Sequence, residues 1–422
     1  MSKTAKKQYK NYLDQLLTLA EGKVEWKVLG EIAEIYGGLS GKSKDDFENG
    51  NALYIPYKNI FDNIEINFHK FESVKVLNSE NQNTVKYGDV LFTGSSETAE
   101  EVGMSSSITT KFEGNVYLNS FSFGLRFNDN ISIIPQFSKY LFRSDFMRKE
   151  IAKTASGVTR FNISKVRFKK LQIPIPPLPI QQEIVRILDT FTELTAELTA
   201  ELTARKKQYE YYREYLFNLG NEKHIPMGDE SIGHFIRGSG LQKKDFTETG
   251  VGCIHYGQIY THYGVYTNKT KTFVSKEFAK KARKARYGNL VIATTSENDE
   301  DVCKAVAWLG DEEIAVSSDA CFFVHNLNPK YVAYFFQTEQ FQKQKRVYIT
   351  GTKVRRVNVD NLAKIEIPIP SLAEQERIVA ILDKFDALTN SISEGLPREI
   401  ELRQQQYEYY RNMLLNFPKQ ED

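Results

Sequence analysis

Two kinds of hydrophobic pattern alternate along the chain, and each occurs twice. Runs such as Asn115-Val-Tyr-Leu-Asn-Ser-Phe-Ser-Phe-Gly-Leu-Arg-Phe127 are β-branched and aromatic, broken by Gly and Asn, which reads as strands and turns. From Ile184 the apolar positions fall instead at 184, 187, 191, 194, 198 and 202, then past Arg205 at 209, 212, 216 and 219. Steps of three and four make a heptad seam, predicting a long helix that packs along another. Prolines at 174, 176, 177 and 179, and again at 368 and 370, are incompatible with a helix interior. They predict an extended connector that launches each helix.

The connectors expose a tandem duplication. Leu171-Gln-Ile-Pro-Ile-Pro-Pro-Leu178 and Gln182-Glu-Ile-Val-Arg-Ile-Leu-Asp-Thr-Phe191 return 194 residues later as Ile365-Glu-Ile-Pro-Ile-Pro-Ser-Leu372 and Glu376-Arg-Ile-Val-Ala-Ile-Leu-Asp-Lys-Phe385. Looser matches lie upstream, Tyr54-Ile-Pro-Tyr-Lys-Asn-Ile60 with Cys253-Ile-His-Tyr-Gly-Gln-Ile259, and Tyr87-Gly-Asp-Val-Leu-Phe-Thr93 with Tyr287-Gly-Asn-Leu-Val-Ile-Ala293. A third element recurs at the start, middle and end: Lys7-Gln-Tyr-Lys-Asn-Tyr12, Lys207-Gln-Tyr-Glu-Tyr-Tyr212 and Gln405-Gln-Tyr-Glu-Tyr-Tyr410. This implies a circular layout in which an amino-terminal helix completes the role of the carboxyl-terminal one, with the two halves related by a pseudo-twofold axis.

The expected fold class is α+β. Two similar domains of mixed α/β structure with strand-rich cores are separated by long antiparallel coiled-coil helices. The expected boundaries are an amino-terminal helix over 1–23, a first domain over 24–173, a central helical region over 174–222, a second domain over 223–367 and a distal helical region over 368–422. The central seam carries one irregularity, two consecutive steps of four at Leu194, Leu198 and Leu202, where Thr195-Ala-Glu-Leu198 and Thr199-Ala-Glu-Leu202 are exact copies. A four-residue insertion of this kind is a stutter that locally unwinds a coiled coil. In the distal region Ile378, Ile381, Phe385, Leu388 and Ile392 keep the seam until Ser393-Glu-Gly-Leu-Pro397. Gly395 and Pro397 there predict one helix ending and another starting.

Composition narrows the functional classes. At 422 residues the chain has room for two to four domains of roughly 100–200 residues each. Its 41% hydrophobic and 26% charged residues are those of an ordinary globular protein. No stretch approaches the roughly 18 uncharged apolar residues of a membrane span, and the start of the chain has no signal-peptide core, so a cytoplasmic protein without membrane contact is expected. Cys253, Cys303 and Cys321 form no CxxC pair and indicate neither disulfides nor zinc. The net charge of +2 hides local patches: ten Lys/Arg against two acids between Lys139 and Lys170, eight against one between Lys269 and Arg286, and six against none between Lys343 and Arg356. A polyanion would meet these patches.

Enzymatic motifs are missing. There is no Gly-rich strand-turn-helix motif for a nucleotide or methyl donor, no Walker lysine and no Asn-Pro-Pro-aromatic methyltransferase motif, since Asn328-Pro329 is followed by Lys. The six histidines lack metal-ligand spacing, and Glu297-Asn-Asp-Glu-Asp301 lacks the pattern of a calcium loop.

The paired Ile-Pro-Ile-Pro connectors, the helix starts after them, the Thr-Ala-Glu-Leu pair and the Leu-Pro-Arg-Glu-Ile-Glu-Leu-Arg run ending at Arg403 resemble the specificity subunits of type I restriction-modification systems. They resemble in particular the subclass whose central helix carries Thr-Ala-Glu-Leu repeats, called type IC-like. The resemblance implies a non-catalytic subunit that reads an asymmetric, two-part sequence in double-stranded DNA. It would recruit two methyltransferase subunits and, for cleavage, two motor-nuclease subunits. No cofactor would bind this chain; S-adenosylmethionine, ATP and magnesium would be held by the partners. Tyr209, Tyr212, Tyr407 and Tyr410 would be either partner-docking contacts or core of the helix pair. Two other readings are a recognition subunit of a bipartite system whose methyltransferase and nuclease are fused, and a coiled-coil scaffold that does not bind DNA.

Two groups of residues are candidate DNA contacts. Ser156-Gly-Val-Thr-Arg-Phe161 aligns with Thr350-Gly-Thr-Lys-Val-Arg-Arg356, each a Gly-containing turn that brings amides and cations close to phosphate. Gly157, Thr159, Arg160, Lys165, Thr352, Lys353, Arg355 and Arg356 are assigned to that role, against the alternative of a solvated turn. Base edges require reaching donors and acceptors, for which loops after the matched strands offer Lys58, Asn59, Ser95 and Ser96, and His255, Tyr256, Gln258, Thr295 and Ser296. An ordinary surface loop is the alternative for each.

One Thr-Ala-Glu-Leu unit lengthens a helix by roughly 6 Å and rotates its far end by about 40° beyond a full turn. A base pair rotates DNA by about 35°. The number of units is therefore expected to set the unread gap between half-sites. Deleting Thr199 to Leu202 should change the gap found by methylation-site mapping, and an unchanged gap contradicts the idea.

Overall fold

The computed structural model describes residues 23–218, 222–391 and 393–419. The amino-terminal helix expected over 1–23 falls almost wholly outside them, as do the seam positions Leu219 and Ile392. The chain forms two compact units, Met1–Glu197 with Ile400–Asp422, and Leu198–Glu399.

In the first unit the connector is a strand, Gln172–Ile175, paired antiparallel with Glu25–Val28 at the opposite end of the domain. Pro174 costs no ladder bond beyond this two-stranded ribbon, which is why proline is tolerated there. A four-stranded sheet runs in the order Ala33–Gly37, Ser122–Phe127, Val90–Thr93, Ser105–Ser107. A second sheet of three strands, Glu72–Val74, Ala52–Ile55 and Val116–Leu118, packs its own apolar face nearby. The core beneath the larger sheet is aromatic, with Phe92 5.3 Å from Phe123, 5.2 Å from Phe142 and 5.0 Å from Phe168 between ring centroids.

The second unit repeats this plan with longer sheets. Gly233–Arg237, Ala320–His325, Leu290–Ala293, Ala305–Trp308 and Tyr266–Thr267 form one, and Phe246–Thr247, Thr272–Val274, Val251–Ile254, Ile314–Val316 and Lys284–Ala285 the other. His224–Pro226 pairs with the connector strand Glu366–Pro368 as Glu25–Val28 does in the first unit. Cys253, Cys303 and Cys321 are all buried here.

Each unit also holds two short helices after its main sheet, Pro135–Leu141 and Asp145–Lys153, then Pro329–Phe335 and Glu339–Arg346. Proline opens the first of each pair, and Ser144 or Thr338 caps the second by accepting from Met147 N or Phe341 N.

The heptad seam forms one continuous helix of 40 residues, Leu178–Phe217, and the distal region two helices, Leu372–Asn390 and Gly395–Leu415. Gly395 has φ +77°, and a Cβ there would lie 2.3 Å from the Ala387 carbonyl oxygen, so the break between the distal helices requires glycine. Pro179 corrects the expectation that all the connector prolines are extended. It is the second helical residue, where the missing N–H has no helical partner to lose. Within the first unit Phe191 stacks on Tyr410 at 5.3 Å, while Trp26, opposite Pro174, donates from Nε1 to the Pro418 carbonyl at 3.2 Å. The two helices therefore run antiparallel. Among the described residues no helix is long and apolar enough to cross a membrane.

The same clamp fixes each domain to its helix. Gln181 Oε1 accepts from Ile134 N at 2.9 Å, and its Nε2 donates to Ser132 O at 2.7 Å and Pro176 O at 2.8 Å. Gln375 Oε1 accepts from Asn328 N at 2.9 Å, and its Nε2 donates to Pro370 O at 2.9 Å. Further along each helix, Tyr140 OH donates to Asp189 at 2.6 Å and Tyr334 OH to Asp383 at 2.7 Å. Gln181 and Gln375 are buried, so truncation strands backbone groups that water cannot reach. Gln375→Ala is expected to cost about 2–4 kcal/mol and to raise amide exchange around Asn328 without altering the first domain; unchanged exchange there contradicts the clamp.

Candidate nucleic-acid interface

Past the strand Val90–Thr93 the chain turns at Gly94 into the two-residue strand Ser95–Ser96, which pairs antiparallel with Phe161–Ile163. In the second unit Thr295–Ser296 pairs with Arg355–Arg356 in the same way. The returning strands enter from glycine turns. Gly157 has φ +142° and Gly351 +90°, and a Cβ would lie 1.9 Å from Arg160 O or 2.1 Å from Val354 O. Only glycine folds these turns so tightly, and each leaves its tip in solvent, with Val158 91% exposed.

The short strands are anchored by tyrosines. Tyr57 OH donates to Ser95 O at 2.8 Å, and Tyr260 OH to Thr295 O at 2.7 Å, with burial pushing both phenols up. The loops after them are held by cations, the half-buried Arg148 and the buried Lys345. Arg148 donates to Gly103 O at 2.5 Å, Val102 O at 2.6 Å and Glu100 O at 2.9 Å, while Lys345 donates to Glu300 O and Val302 O, both at 2.9 Å. Burial lowers the Arg148 guanidinium to about 10 and pulls the Lys345 ammonium down as well.

An open cavity of about 590 Å³ results in the first unit, lined by Tyr57, Phe61, Ser95, Ser96, Glu97, Glu101, Phe121, Thr159 and Arg160. Arg160 Nε donates to Ser95 Oγ at 3.1 Å, and its guanidinium lies 6.0 Å from the Phe121 ring. The second unit has a cavity of about 280 Å³ beside its equivalent short strand, lined by Arg237, Thr294, Thr295, Asp319, Thr350, Arg356, Val357, Asn358 and Val359. Cations, hydroxyls and a rigid backbone of this kind suit a phosphate-bearing ligand. Among the described residues no cluster of His, Cys, Asp and Glu is placed to hold a metal ion.

The family profile of the type I restriction modification DNA specificity domain matches the chain twice, over residues 22–205 and 230–402. The chain belongs to that family.

Among its relatives, a putative type I restriction enzyme specificity subunit of Haemophilus influenzae is 32% identical over 97% of this chain and 100% of its own length. The EcoR124I/EcoR124II specificity subunit of Escherichia coli is 37% identical over 61% of this chain and 66% of its own. Two solved structures share the fold. One, from a study of assembly and conformational transition of the type I system, has a TM-score of 0.60 over 94% of this chain and 98% of its own, at 15% identity. The other, the HsdS subunit of Thermoanaerobacter tengcongensis, has a TM-score of 0.51 over 94% and 96%, at 16% identity. The chain is thus a non-catalytic specificity subunit with two similar domains of mixed helix and strand and a long central helix.

Of the residues picked from the sequence of this specificity subunit, Ser95, Ser96, Thr159 and Arg160 come together in the first cavity, and Thr295 and Arg356 in the second. Gly157, Thr352 and Lys353 lie exposed on the glycine turns. Arg355 is tied at 2.8 Å to Asp299, and Ser96 and Ser296 are half-buried beside the acidic loops. Lys58 and Lys165 are exposed but line neither cavity; Lys165 Nζ sits 5.7 Å from the Phe123 ring. Asn59 is corrected outright. It is 1% exposed and spends its side chain on Asn67 and the Lys70 carbonyl. Gln258 is also engaged internally, bonding Thr272 Oγ1 at 3.0 Å and His255 N at 3.0 Å. His255 caps the helix Tyr256–Thr261 and is held below its usual pKa by burial and by Lys243; Tyr256 packs 4.6 Å from it.

Sequence reasoning missed Tyr57, Phe61, Phe121, Arg237, Asp319 and Asn358. Tyr57 and Phe61 were legible as an i, i+4 aromatic pair on one helical face, and stack at 5.9 Å. The spacer leucines are seam residues, Leu198 buried and Leu194 and Leu202 half-buried. Tyr209 and Tyr407 are 5% and 8% exposed, which makes both core; Tyr212 is 41% exposed over Phe385, and Tyr410 lies on Phe191.

Replacing Arg148 by Met keeps most of its volume and removes all three carbonyl contacts. Amide exchange and proteolysis across 97–103 should rise with a local cost of about 2–3 kcal/mol, and an unaltered loop contradicts its anchoring role.

Proposed function

We propose that the two cavities grip the two halves of an asymmetric DNA target, the first domain, residues 24–173, on one half and the second, residues 223–367, on the other. The carrying observation is that each domain sets a short hydroxyl-bearing strand against a strand that returns from a glycine-tight turn, with an arginine beside it: Arg160 at the end of the turn in the first domain and Arg356 within the returning strand in the second. Arg160 and Arg356 contact phosphate, with Thr159, Thr352, Lys353 and the amides around Gly157 and Gly351 alongside. The pairing of each connector strand with the first strand of its domain supports these boundaries, with the helical regions 174–222 and 368–422 between and after them.

The reaction is adenine methylation or DNA cleavage by partner subunits, which bring S-adenosylmethionine, ATP and magnesium. Two methyltransferase and two motor-nuclease subunits fit a chain built from two equivalent halves, and the work takes place in the cytoplasm. The repeated Thr-Ala-Glu-Leu segment, in one unbroken helix, supports the type IC-like subclass.

Methylation mapping with the cognate methyltransferase subunit tests the function: a two-part motif with a fixed gap is expected, and no motif with an active partner refutes it. Arg160→Ala should weaken binding to all sequences alike and lower the salt slope of log K by about 0.9. A sequence-dependent loss contradicts a phosphate role.

A further inference from the structure

In each domain the chain turns sharply just before the long returning strand of the main sheet. In the first, Asn119 and Phe121 form the turn into Ser122–Phe127, with Ser122 N donating to Asn119 O at 3.2 Å and Gly94 N to Phe121 O at 2.8 Å. In the second, Ala320 N donates to Ser317 O at 3.0 Å and Thr294 N to Asp319 O at 2.9 Å. Phe121 and Asp319 therefore occupy one structural position.

That position is rigid in the first domain. Asn119 bonds Phe121 N and Ser122 Oγ through Oδ1 and Ile55 O through Nδ2, so the apex is fixed before any ligand arrives. Yet the Phe121 ring is 63% exposed, beside Arg160 and the Ser95–Ser96 strand. A large apolar side chain held in water on a stiff turn contributes nothing to the core, and beside an arginine it marks a contact surface. Asp319 lines the second cavity with Arg237 and Arg356, and its carboxylate makes no hydrogen bond or ion pair among the described residues. Near a polyanion a carboxylate is repelled unless it accepts from a donor, and the donors DNA offers are base amines.

We infer that this turn apex reads a base edge in the major groove in both domains, Phe121 against the C5-methyl group of a thymine in the first half-site and Asp319 against the N4 amine of a cytosine in the second. The inference rests on the DNA-reading function above. It gives the asymmetry of the target a local cause, because equivalent backbone carries an apolar group in one domain and an acceptor in the other.

The test uses the complex of the full chain with its methyltransferase partner and duplexes carrying the mapped target. Replacing each thymine of the first half-site in turn by deoxyuridine removes one methyl group and nothing else. One such replacement should weaken wild-type binding about fourfold, and leave Phe121→Ala, already weakened by a similar factor, unaffected. Replacing one C·G pair of the second half-site by T·A should cost the wild type about fivefold or more, and Asp319→Asn about twofold or less. Each variant keeps full discrimination at the opposite half-site, which separates a lost base contact from a lost fold. Equal sensitivity of wild type and variants at every position, or a first half-site without thymine or a second without cytosine, overturns the assignment and leaves the DNA-reading function standing. Absence of any two-part methylated motif from the wild-type complex overturns that function instead.

Discussion

A buried glutamine at the start of each long helix fixes everything that lies above it. Gln181 and Gln375 turn their amides to backbone groups of the connector and of the segment just before the first short helix, tying sheet, connector and helix into one piece. An apolar residue could fill the space but would leave those backbone groups unpaired in a dry interior. The tyrosine–aspartate bonds, Tyr140 with Asp189 and Tyr334 with Asp383, repeat the constraint further along the helix. Because the proposed reading surface sits on strands continuous with the sheet, its aim relative to the helix would be set by these contacts.

That frame lets the recognition surface vary. The strands and turns around the cavities keep their backbone pattern, while the side chains differ: Ser95 against Thr295, Phe121 against Asp319, and Arg160 near the turn tip against Arg356 in the strand. Cations used in the frame are spent on backbone carbonyls, the half-buried Arg148 and the buried Lys345, whereas those at the cavities are more exposed. The charge of +2 is thus divided between structural and exposed roles, and the total says little about either.

How much was legible depends on how strictly each segment keeps its spacing. The connectors and helix starts hold a constant offset of 194 residues, so the duplication, the proline strands and the seam could be read directly. Upstream the offset drifts, from 200 between Val90 and Leu290 to 198 between Ser122 and Ala320. Insertions of that kind hid the equivalence of Phe121 and Asp319. The strands Glu25–Val28 and His224–Pro226, which pair with the connectors, were invisible because pairing across a whole domain leaves no local pattern. Asn59 and Gln258 were misplaced for another reason: an amide able to read adenine is equally suited to capping its own turn, and only the fold decides between them.

The central claim is that each domain reads its half-site through its own surface on an equivalent frame. The most direct measurement is methylation-site mapping of a complex in which residues 223–367 are replaced by a second copy of residues 24–173. The account predicts a symmetric two-part motif in which the first half-site appears twice in opposite orientation. A motif that stays asymmetric, or a first half-site that changes when the second domain is exchanged, would contradict it.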